Sequence, residues 1–287
     1  MRDIKRRIRS VTNIEHITNA MKLVSAAKFR RARALFEKSQ GCLGYITDNI
    51  SELINEADEI PSRYIMQGQK MKKACYILVT SNRGLAGSYN ANVIKAVERE
   101  AKQDLANGME KPALVCVGGR GQNYFSRRDY EIVSAYLYPP EAVTFLQARE
   151  IAEPVIKMFD EGTIDEVVLV YTTFKNMIEQ HAVIKRLLPF ELEGGAEAPK
   201  RKKSVEYEPS AEEVLEYLVP KYAETVLYQA IIEASACEHA ARRMAMQNAT
   251  DNARDIIGKL DLSFNRARQA AITKEITEIV SGADAVK

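Results

Sequence analysis

The chain has 287 residues, 46% of them hydrophobic, which is enough for one ordinary core plus an extension. Its net charge of +2 hides an asymmetry, because residues 1–40 hold eleven Lys or Arg against three acidic residues, giving +8 there and −6 elsewhere. Such a basic run fits a solvated helix face as well as contact with an acidic partner, and its sparse aromatic residues argue against nucleic acid. No stretch reaches the ~18 apolar residues of a membrane span, so we expect no direct membrane insertion.

The first long segment, from Arg2 to about Asn55, contains no proline and only two glycines, which predicts one helix. Apolar residues recur along it at steps of three and four, which predicts a single apolar stripe. The members of this stripe are Ile4, Ile8, Val11, Ile14, Ile17, Met21 and Val24. Alanines follow the stripe and would allow a second helix to approach closely.

The middle of the chain alternates between buried-strand and helix patterns. Strands are predicted near 74–80, 112–117, 131–137 and 166–172, with an antiparallel edge strand at 180–188. Helices are predicted near 91–105 and 143–159, the second one kinked or restarted at Pro154. This order predicts a doubly wound, Rossmann-like α/β domain. The Gly- and Pro-containing segment 193–209 is interpreted as a linker.

The last long segment, from Lys221 to about Ala283, contains Gly258 and then no glycine until Gly282, with no proline. It predicts a helix of roughly 95 Å, which needs a partner along its flank. The sequence therefore predicts an α/β protein: an antiparallel coiled coil of long N- and C-terminal helices plus a Rossmann-like α/β head. The predicted domains are 1–58 for the N-terminal coiled-coil helix, 59–208 for the head with its linker, and 209–287 for the C-terminal coiled-coil helix.

Two glycine-containing loops raise the possibility of a phosphate site. They are SNRGLAGSYN at Ser81–Asn90 and GGRGQNYF at Gly118–Phe125, each after a strand and before a helix. Neither loop contains GK[ST] or completes GxGxxG, and no acidic residue ends the second strand. We interpret the glycines as backbone requirements and expect no cofactor and no catalytic residues.

Cysteine and histidine give no sign of a metal site. Cys42, Cys75, Cys116 and Cys237 are far apart and form no CxxC spacing, and the three histidines are equally scattered. We expect reduced cysteines in the core of a cytosolic protein and no bound metal.

Three blocks of sequence resemble the gamma subunit of the F-type ATP synthase, of the bacterial type. They are IKRRIRSVTNIEHITNAMKLVSAAKFRRAR, SNRGLAGSYN, and EHAARRMAMQNATDNA with LSFNRARQAAITKEITEIVSGADAV. The resemblance covers nearly the whole chain. It implies a rotor shaft without catalytic residues, present as one copy inside a ring of alpha and beta subunits. It also implies contacts with epsilon and the c-subunit ring at the cytoplasmic face of a bacterial plasma membrane.

The same resemblance implies which residues contact the beta subunits. These are Arg268, Gln269, Thr273 and Glu275 on the last helix, and Met21 and Lys22 on the first. The sequence departs from the family at Asn82, usually Asp, at Ala86 and Ser88, and at Lys274, usually Gln. The alternative from another class is a coiled-coil scaffold whose α/β head binds a small ligand.

Overall fold

The computed structural model describes residues 1–56, 64, 71–139, 142–177, 179–190 and 210–284. Its elements are α1 (Arg2–Glu56), β1 (Ala74–Val79), α2 (Tyr89–Ala106), β2 (Ala113–Val117), α3 (Gly119–Phe125), β3 (Ile132–Tyr136), α4 (Phe145–Asp160), β4 (Glu166–Phe174), β5 (Gln180–Leu188) and α5 (Ala211–Asp284). All five predicted strands and the two long terminal helices are confirmed. The predicted linker 193–209 lies outside the described residues.

The five strands form one sheet in the order β3-β2-β1-β4-β5. The first four are parallel, and β5 pairs antiparallel with β4 at the edge, as predicted. Strand β1 is buried on both faces along its whole length, which is why ACYILV reads as a continuous apolar run. We call the sheet together with α2, α3 and α4 the head.

The two faces of the sheet belong to different hydrophobic clusters. On one face Ile77 and Leu169 pack with α4 and with α5 residues such as Leu227. On the other face Tyr76 and Val170 pack with α2 residues. The head is therefore layered, with the C-terminal helix serving as part of the cover on one side.

Helix α4 runs without interruption through Pro154, so of the two predicted alternatives the restart is wrong and the kink stays a prediction. Its start is defined by a capping box, in which Thr144 Oγ1 accepts from the Gln147 backbone N–H at 3.3 Å and the Gln147 side chain accepts from the Thr144 N–H at 3.0 Å. Helix α5 likewise continues through Pro220.

The chain forms two compact units, one of Met1–Ala26 with Arg242–Lys287 and one of Ala27–Ala241. We call them unit 1 and unit 2; α1 and α5 each contribute to both. The domain boundaries predicted from the sequence stay a prediction. Among the described residues, no helix has both the length and the apolar content needed to cross a bilayer.

In unit 1, α1 and α5 are antiparallel neighbours. The hydroxyl oxygens of Thr18 and Thr250 lie 2.9 Å apart, and the Arg254 guanidinium donates to Glu15 Oε1 at 2.9 and 3.1 Å. Residue numbers fall on one helix as they rise on the other, which defines the antiparallel direction. The predicted pairing of the chain's two ends is confirmed.

The side of α1 that meets α5 differs from the predicted apolar stripe. Thr18 and Ser25 are buried, whereas Ile14, Ile17 and Val24 are 50%, 60% and 57% exposed. The reason is that small hydroxyl side chains satisfy their polarity on their own helix, as Ser25 Oγ does by donating to Met21 O at 2.8 Å. Ile14, Ile17 and Val24 are left on the outside, while Ile4, Ile8, Val11 and Met21 of the predicted stripe are half-buried.

In unit 2, the two long helices meet through small residues. Ala32 of α1 packs with Ala236 and Ala240 of α5, and all three are almost fully buried. The Gln229 side-chain amide donates to the Ser39 carbonyl. The predicted close approach of the two long helices through alanines is therefore confirmed around Ala32, Ala236 and Ala240.

Candidate functional site

The loop after β1 is held in shape by its own polar side chains. Asn90 Oδ1 accepts the Ser81 backbone N–H at 2.9 Å, and Asn90 Nδ2 donates to Ser81 Oγ at 2.8 Å. The Ser81 carbonyl accepts the Arg120 backbone N–H at 3.0 Å, which joins this loop to α3. The backbone N–H groups of Ser81, Gly119, Arg120 and Gly121 are therefore already used within the chain.

The second predicted glycine loop is mostly the short helix α3, and Gly118, which directly precedes this helix, shows why glycine is needed there. Its φ is +104°, and a Cβ at this position would lie 2.0 Å from the Thr80 carbonyl oxygen. Gly121 is similarly tight, with a Cβ falling 2.7 Å from Leu78 Cδ1. The interpretation of these glycines as backbone requirements is confirmed at Gly118, whereas at Gly121 a Cβ would meet side-chain atoms of Leu78 and Thr80, so side-chain packing sets the requirement there.

Asn82, where the resemblance leads us to expect Asp, connects three backbone segments. Its amide nitrogen donates to the carbonyls of Leu137 at 3.2 Å and Tyr138 at 3.0 Å. Its Oδ1 accepts the Gly119 backbone N–H at 3.0 Å. An amide can donate and accept at once, whereas an ionised aspartate can only accept. The residue therefore ties the end of β3 to both glycine loops.

The crevice at the carboxyl ends of β1 and β4 is where a doubly wound sheet would bind a ligand, because the strand order reverses there. Side chains of the chain itself fill it. Ala86 and Tyr89 from the loop after β1 pack with the buried Cys237 of α5, and Phe174 at the end of β4 packs against the same cluster with Ala241. Side chains of α5 therefore pack at the position where a sheet of this kind would bind a ligand.

The described cysteines show neither the exposure of a reactive thiol nor the clustering of metal ligands. Cys75, Cys116 and Cys237 are buried and unpaired, and burial raises the pKa of the Cys75 and Cys116 thiols to about 12. Burial also raises the pKa of Cys237. The Cys42 side chain lies outside the description. Within the described ranges, no group of three or more His, Cys, Asp or Glu could hold a metal ion.

The residues predicted to contact a partner all lie in unit 1. Arg268, Gln269, Thr273 and Glu275 are exposed on α5, while Met21 and Lys22 are half-buried on α1. Lys274, the departure from the family, lies among the first four and pairs with Glu278 at 3.5 Å. Their contacts with another subunit stay a prediction.

Sequence reasoning missed a pair of residues in unit 2. Glu233 Oε1 accepts the Phe174 backbone N–H at 2.9 Å, and the two residues are 59 positions apart. The strand pattern suggested an end at Thr172, so Phe174 was not assigned to the sheet. The available signal is the aromatic residue two positions after Thr172.

Comparison with known proteins gives a match over almost the entire chain. The family model described as ATP synthase matches residues 1–286. The ATP synthase gamma chain of Moorella thermoacetica is 45% identical over 290 residues, which is 100% of this chain and 99% of the relative. The gamma chain of Alkaliphilus metalliredigens is 42% identical, with the same coverage.

Solved structures agree on the fold. A chain from the central stalk and c-ring of Tetrahymena thermophila mitochondrial ATP synthase has a TM-score of 0.59 and 26% identity, covering 81% of this chain and 99% of that one. A chain from Euglena gracilis mitochondrial ATP synthase has a TM-score of 0.69 over 99% of this chain and 94% of that one. At 16% identity, the second likeness concerns the fold alone.

Proposed function

Since this chain belongs to the ATP synthase gamma chain family, we propose that it is the central rotor shaft of an F-type ATP synthase. It couples proton-driven rotation of a membrane ring to ATP synthesis or hydrolysis at the beta subunits. The gamma chain is a non-catalytic stalk subunit of that complex. The filled crevice in the head supports this function over the alternative of a scaffold that binds a small ligand.

The structural observation that carries the proposal is the surface of unit 1. Its two helices already bond to each other through Thr18 and Thr250, yet large apolar side chains face outward on both. These are Ile14, Ile17, Leu23, Val24, Ile256, Leu262, Ile272, Ile276, Ile279 and Val280. Exposed apolar surface on this scale is typical of a protein interface. With Arg254 beside Glu15, α5 continues beyond the start of α1 from about residue 268, so a ring of subunits would surround first the helix pair and then α5 alone.

Polar residues on the same helix surface are the proposed contacts with the beta subunits. Arg268 and Gln269 present a guanidinium and an amide to the outside, and a guanidinium makes forked contacts with a carboxylate or with several carbonyls. Thr273 and Glu275 continue this surface one turn further along. Met21 and Lys22 on α1 are proposed as a separate contact, because Thr18 lies opposite Thr250 and Glu15 beside Arg254, which places Met21 roughly 30 Å along the helix axis from Arg268.

The remaining partners follow from the family. One copy of the chain would sit in a ring of alpha and beta subunits and would meet epsilon and the c-subunit ring. The assembly would lie at the cytoplasmic face of a bacterial plasma membrane, with this subunit peripheral. The shaft needs stiffness along its axis and a different face toward each catalytic site, and a single asymmetric helix pair provides both.

Direct observation of rotation tests the proposal. The complex is isolated from membranes of cells carrying Cys42→Ser and Ser126→Cys, and a bead is attached at residue 126. Ser126 is exposed at the end of α3, while Cys75, Cys116 and Cys237 are buried with thiol pKa values raised by burial, so labelling within this chain is specific to residue 126.

With the ring fixed to a surface, the bead should turn in one direction while ATP is hydrolysed. An active complex in which the bead stays still would contradict the rotor function, as would isolation of the chain without an ATP-hydrolysing ring.

A further inference from the structure

The end of β4 reaches beyond the sheet. Strand β4 pairs with β1 only as far as Val170, although β4 itself continues to Phe174. On its other edge it stays paired with β5, where Phe174 faces Gln180. Beyond Val170, the backbone N–H and C=O groups of β4 that point toward the β1 side have no neighbouring strand to pair with. They therefore need other hydrogen-bond partners.

Helix α5 supplies one such partner. Glu233 Oε1 accepts the Phe174 backbone N–H at 2.9 Å, so a carboxylate on the long helix replaces the missing strand. Lys185 of β5 and Asp48 of α1 line the same groove of about 460 Å³ as Glu233. The carboxylate thus lines a groove between the head and both long helices, all within unit 2.

The Phe174 side chain extends the contact to helix α1. Its ring centroid lies 5.5 Å from that of Phe29, and the Arg33 guanidinium carbon lies 5.4 Å from the ring. Arg33 is itself oriented by Glu37, whose Oε1 accepts its Nε–H at 2.8 Å. Phe174 also packs against the cluster that contains Ala240 of α5.

We propose that Phe174 and Glu233 form a joint that holds the head to both long helices while torque passes between them. Phe174 is the contact, and Glu233 is the positioning residue that fixes the end of β4. The inference rests on the proposed rotor function, because only a rotor loads this contact. It adds residues of the head to the path of torque, alongside the proposed contact residues of unit 1.

The test compares two activities of the isolated complex reconstituted in vesicles, ATP hydrolysis and ATP-driven proton pumping. Phe174→Ala and Glu233→Leu should each lower proton pumping per ATP hydrolysed severalfold while hydrolysis continues. Glu233→Gln should restore the ratio, because the amide oxygen still accepts the Phe174 N–H. The double variant Phe174→Ala with Glu233→Leu should pump as many protons per ATP as the more impaired single variant, because both changes break the same contact.

Tyr124→Ala is the matched control. It removes another aromatic ring stacked with an arginine, since Arg128 lies 3.5 Å from the Tyr124 ring, but this pair lies entirely within the head. It should leave the pumping ratio unchanged. If Phe174→Ala does not assemble, the Glu233→Leu and Glu233→Gln pair decides the question by the same ratio.

A wild-type ratio in Glu233→Leu, or an equal loss in Glu233→Leu and Glu233→Gln, overturns the joint. Either result leaves the rotor function standing as long as the wild-type complex pumps protons. Failure of the rotor function would appear differently, as a wild-type chain that does not enter an ATP-hydrolysing complex at all.

Discussion

Thr18 and Thr250 bring their hydroxyl oxygens to 2.9 Å in the buried interface between α1 and α5, with Thr250 completely inaccessible to solvent. Thr18 donates its proton to Glu15 O at 3.0 Å, so its oxygen is available as an acceptor, and the single Thr250 proton has two acceptors within reach, Thr18 Oγ1 and Met246 O at 2.7 Å. A polar pair in this position fixes the register of two helices that alanine contacts alone would leave free to slide.

Replacing Thr250 by Val should lower the stability of unit 1 by about 1 kcal/mol, the usual net value of one hydrogen bond. The shape is kept, and Thr18 retains its bond to Glu15 O, so a larger loss is not expected. Urea unfolding of the full chain, followed by helix signal, measures the change. Thr277→Val is the control, because Thr277 is exposed and bonds only to Thr273 O of its own helix. Equal effects of the two changes would mean that the interhelical bond contributes nothing.

Gly118→Ala should cost at least about 4 kcal/mol, because the new Cβ would meet the Thr80 carbonyl oxygen at 2.0 Å. Gly87→Ala provides the comparison. Gly87 has a φ of +56° but nothing within 4 Å of its Cβ position, so only the left-handed backbone is penalised, by about 1–2 kcal/mol. Thermal unfolding of both variants separates steric exclusion from backbone preference, and similar losses would contradict the packing described for Gly118.

Glu233 should make stability depend on pH. Burial raises the pKa of this carboxyl above its ordinary value of 4.5, and this outweighs the Phe174 N–H and Lys185, which lower it. The folded chain therefore binds more protons than the unfolded chain between the two pKa values, so stability falls as pH rises through that window. Glu233→Gln removes this dependence. The difference in unfolding free energy between wild type and variant, measured from pH 4 to pH 8, should move in favour of the variant as pH rises. A constant difference would show that the carboxyl is not perturbed.

Replacing Arg268 and Gln269 together by Ala should leave helix content and complex assembly intact, because exposed substitutions change stability by only about 0.5 kcal/mol. Turnover should fall about tenfold if the lost contact is worth roughly 1.4 kcal/mol in the rate-limiting state. ATP hydrolysis and proton-driven synthesis by the assembled complex provide the measurement. The double variant Asp255→Ala with Lys259→Ala, also exposed on α5, is the control. Normal activity in both would remove Arg268 and Gln269 from the proposed contact.

The isolated chain should not bind ATP. The loops lack phosphate-binding sequence, and the crevice is filled by Tyr89 and Cys237. Addition of Mg-ATP should leave the melting temperature of the purified chain unchanged, with an unrelated P-loop protein as positive control. Micromolar affinity that disappears with Arg83→Ala or Arg120→Ala would revive the ligand-binding alternative.

The sheet and the long helices could be predicted because their signals are local. Strand β1 is apolar throughout, and the prolines and glycines that would end a helix are absent from most of α1 and α5. The buried face of α1 could not be predicted in the same way. Ile17 and Thr18 are neighbours in sequence, and the pattern favoured burying Ile17, yet Thr18 is buried. An apolar stripe predicts that one face of a helix is buried, but it does not predict whether the surface that buries it belongs to the same chain or to another.

The joint between Phe174 and Glu233 could not be predicted for a different reason. A backbone N–H at the end of a strand and a carboxylate 59 residues later have no local relation in sequence. Their contact depends on where α5 crosses the sheet, which only the three-dimensional arrangement of unit 2 determines. The proposed contact residues of unit 1 came entirely from family resemblance, because exposed Arg, Gln, Thr and Glu on a helix have no pattern of their own.

The contact between Gly118 and Thr80 also limits how this gene can change. Every glycine codon begins with two guanines, and any single-base change that alters the amino acid introduces a residue with a Cβ. At residue 118 the Cβ would collide with the Thr80 carbonyl oxygen, whatever the rest of the new side chain is. The codon therefore has no acceptable amino-acid replacement one mutation away, and a lineage carrying this fold can alter it only after the end of β1 has moved.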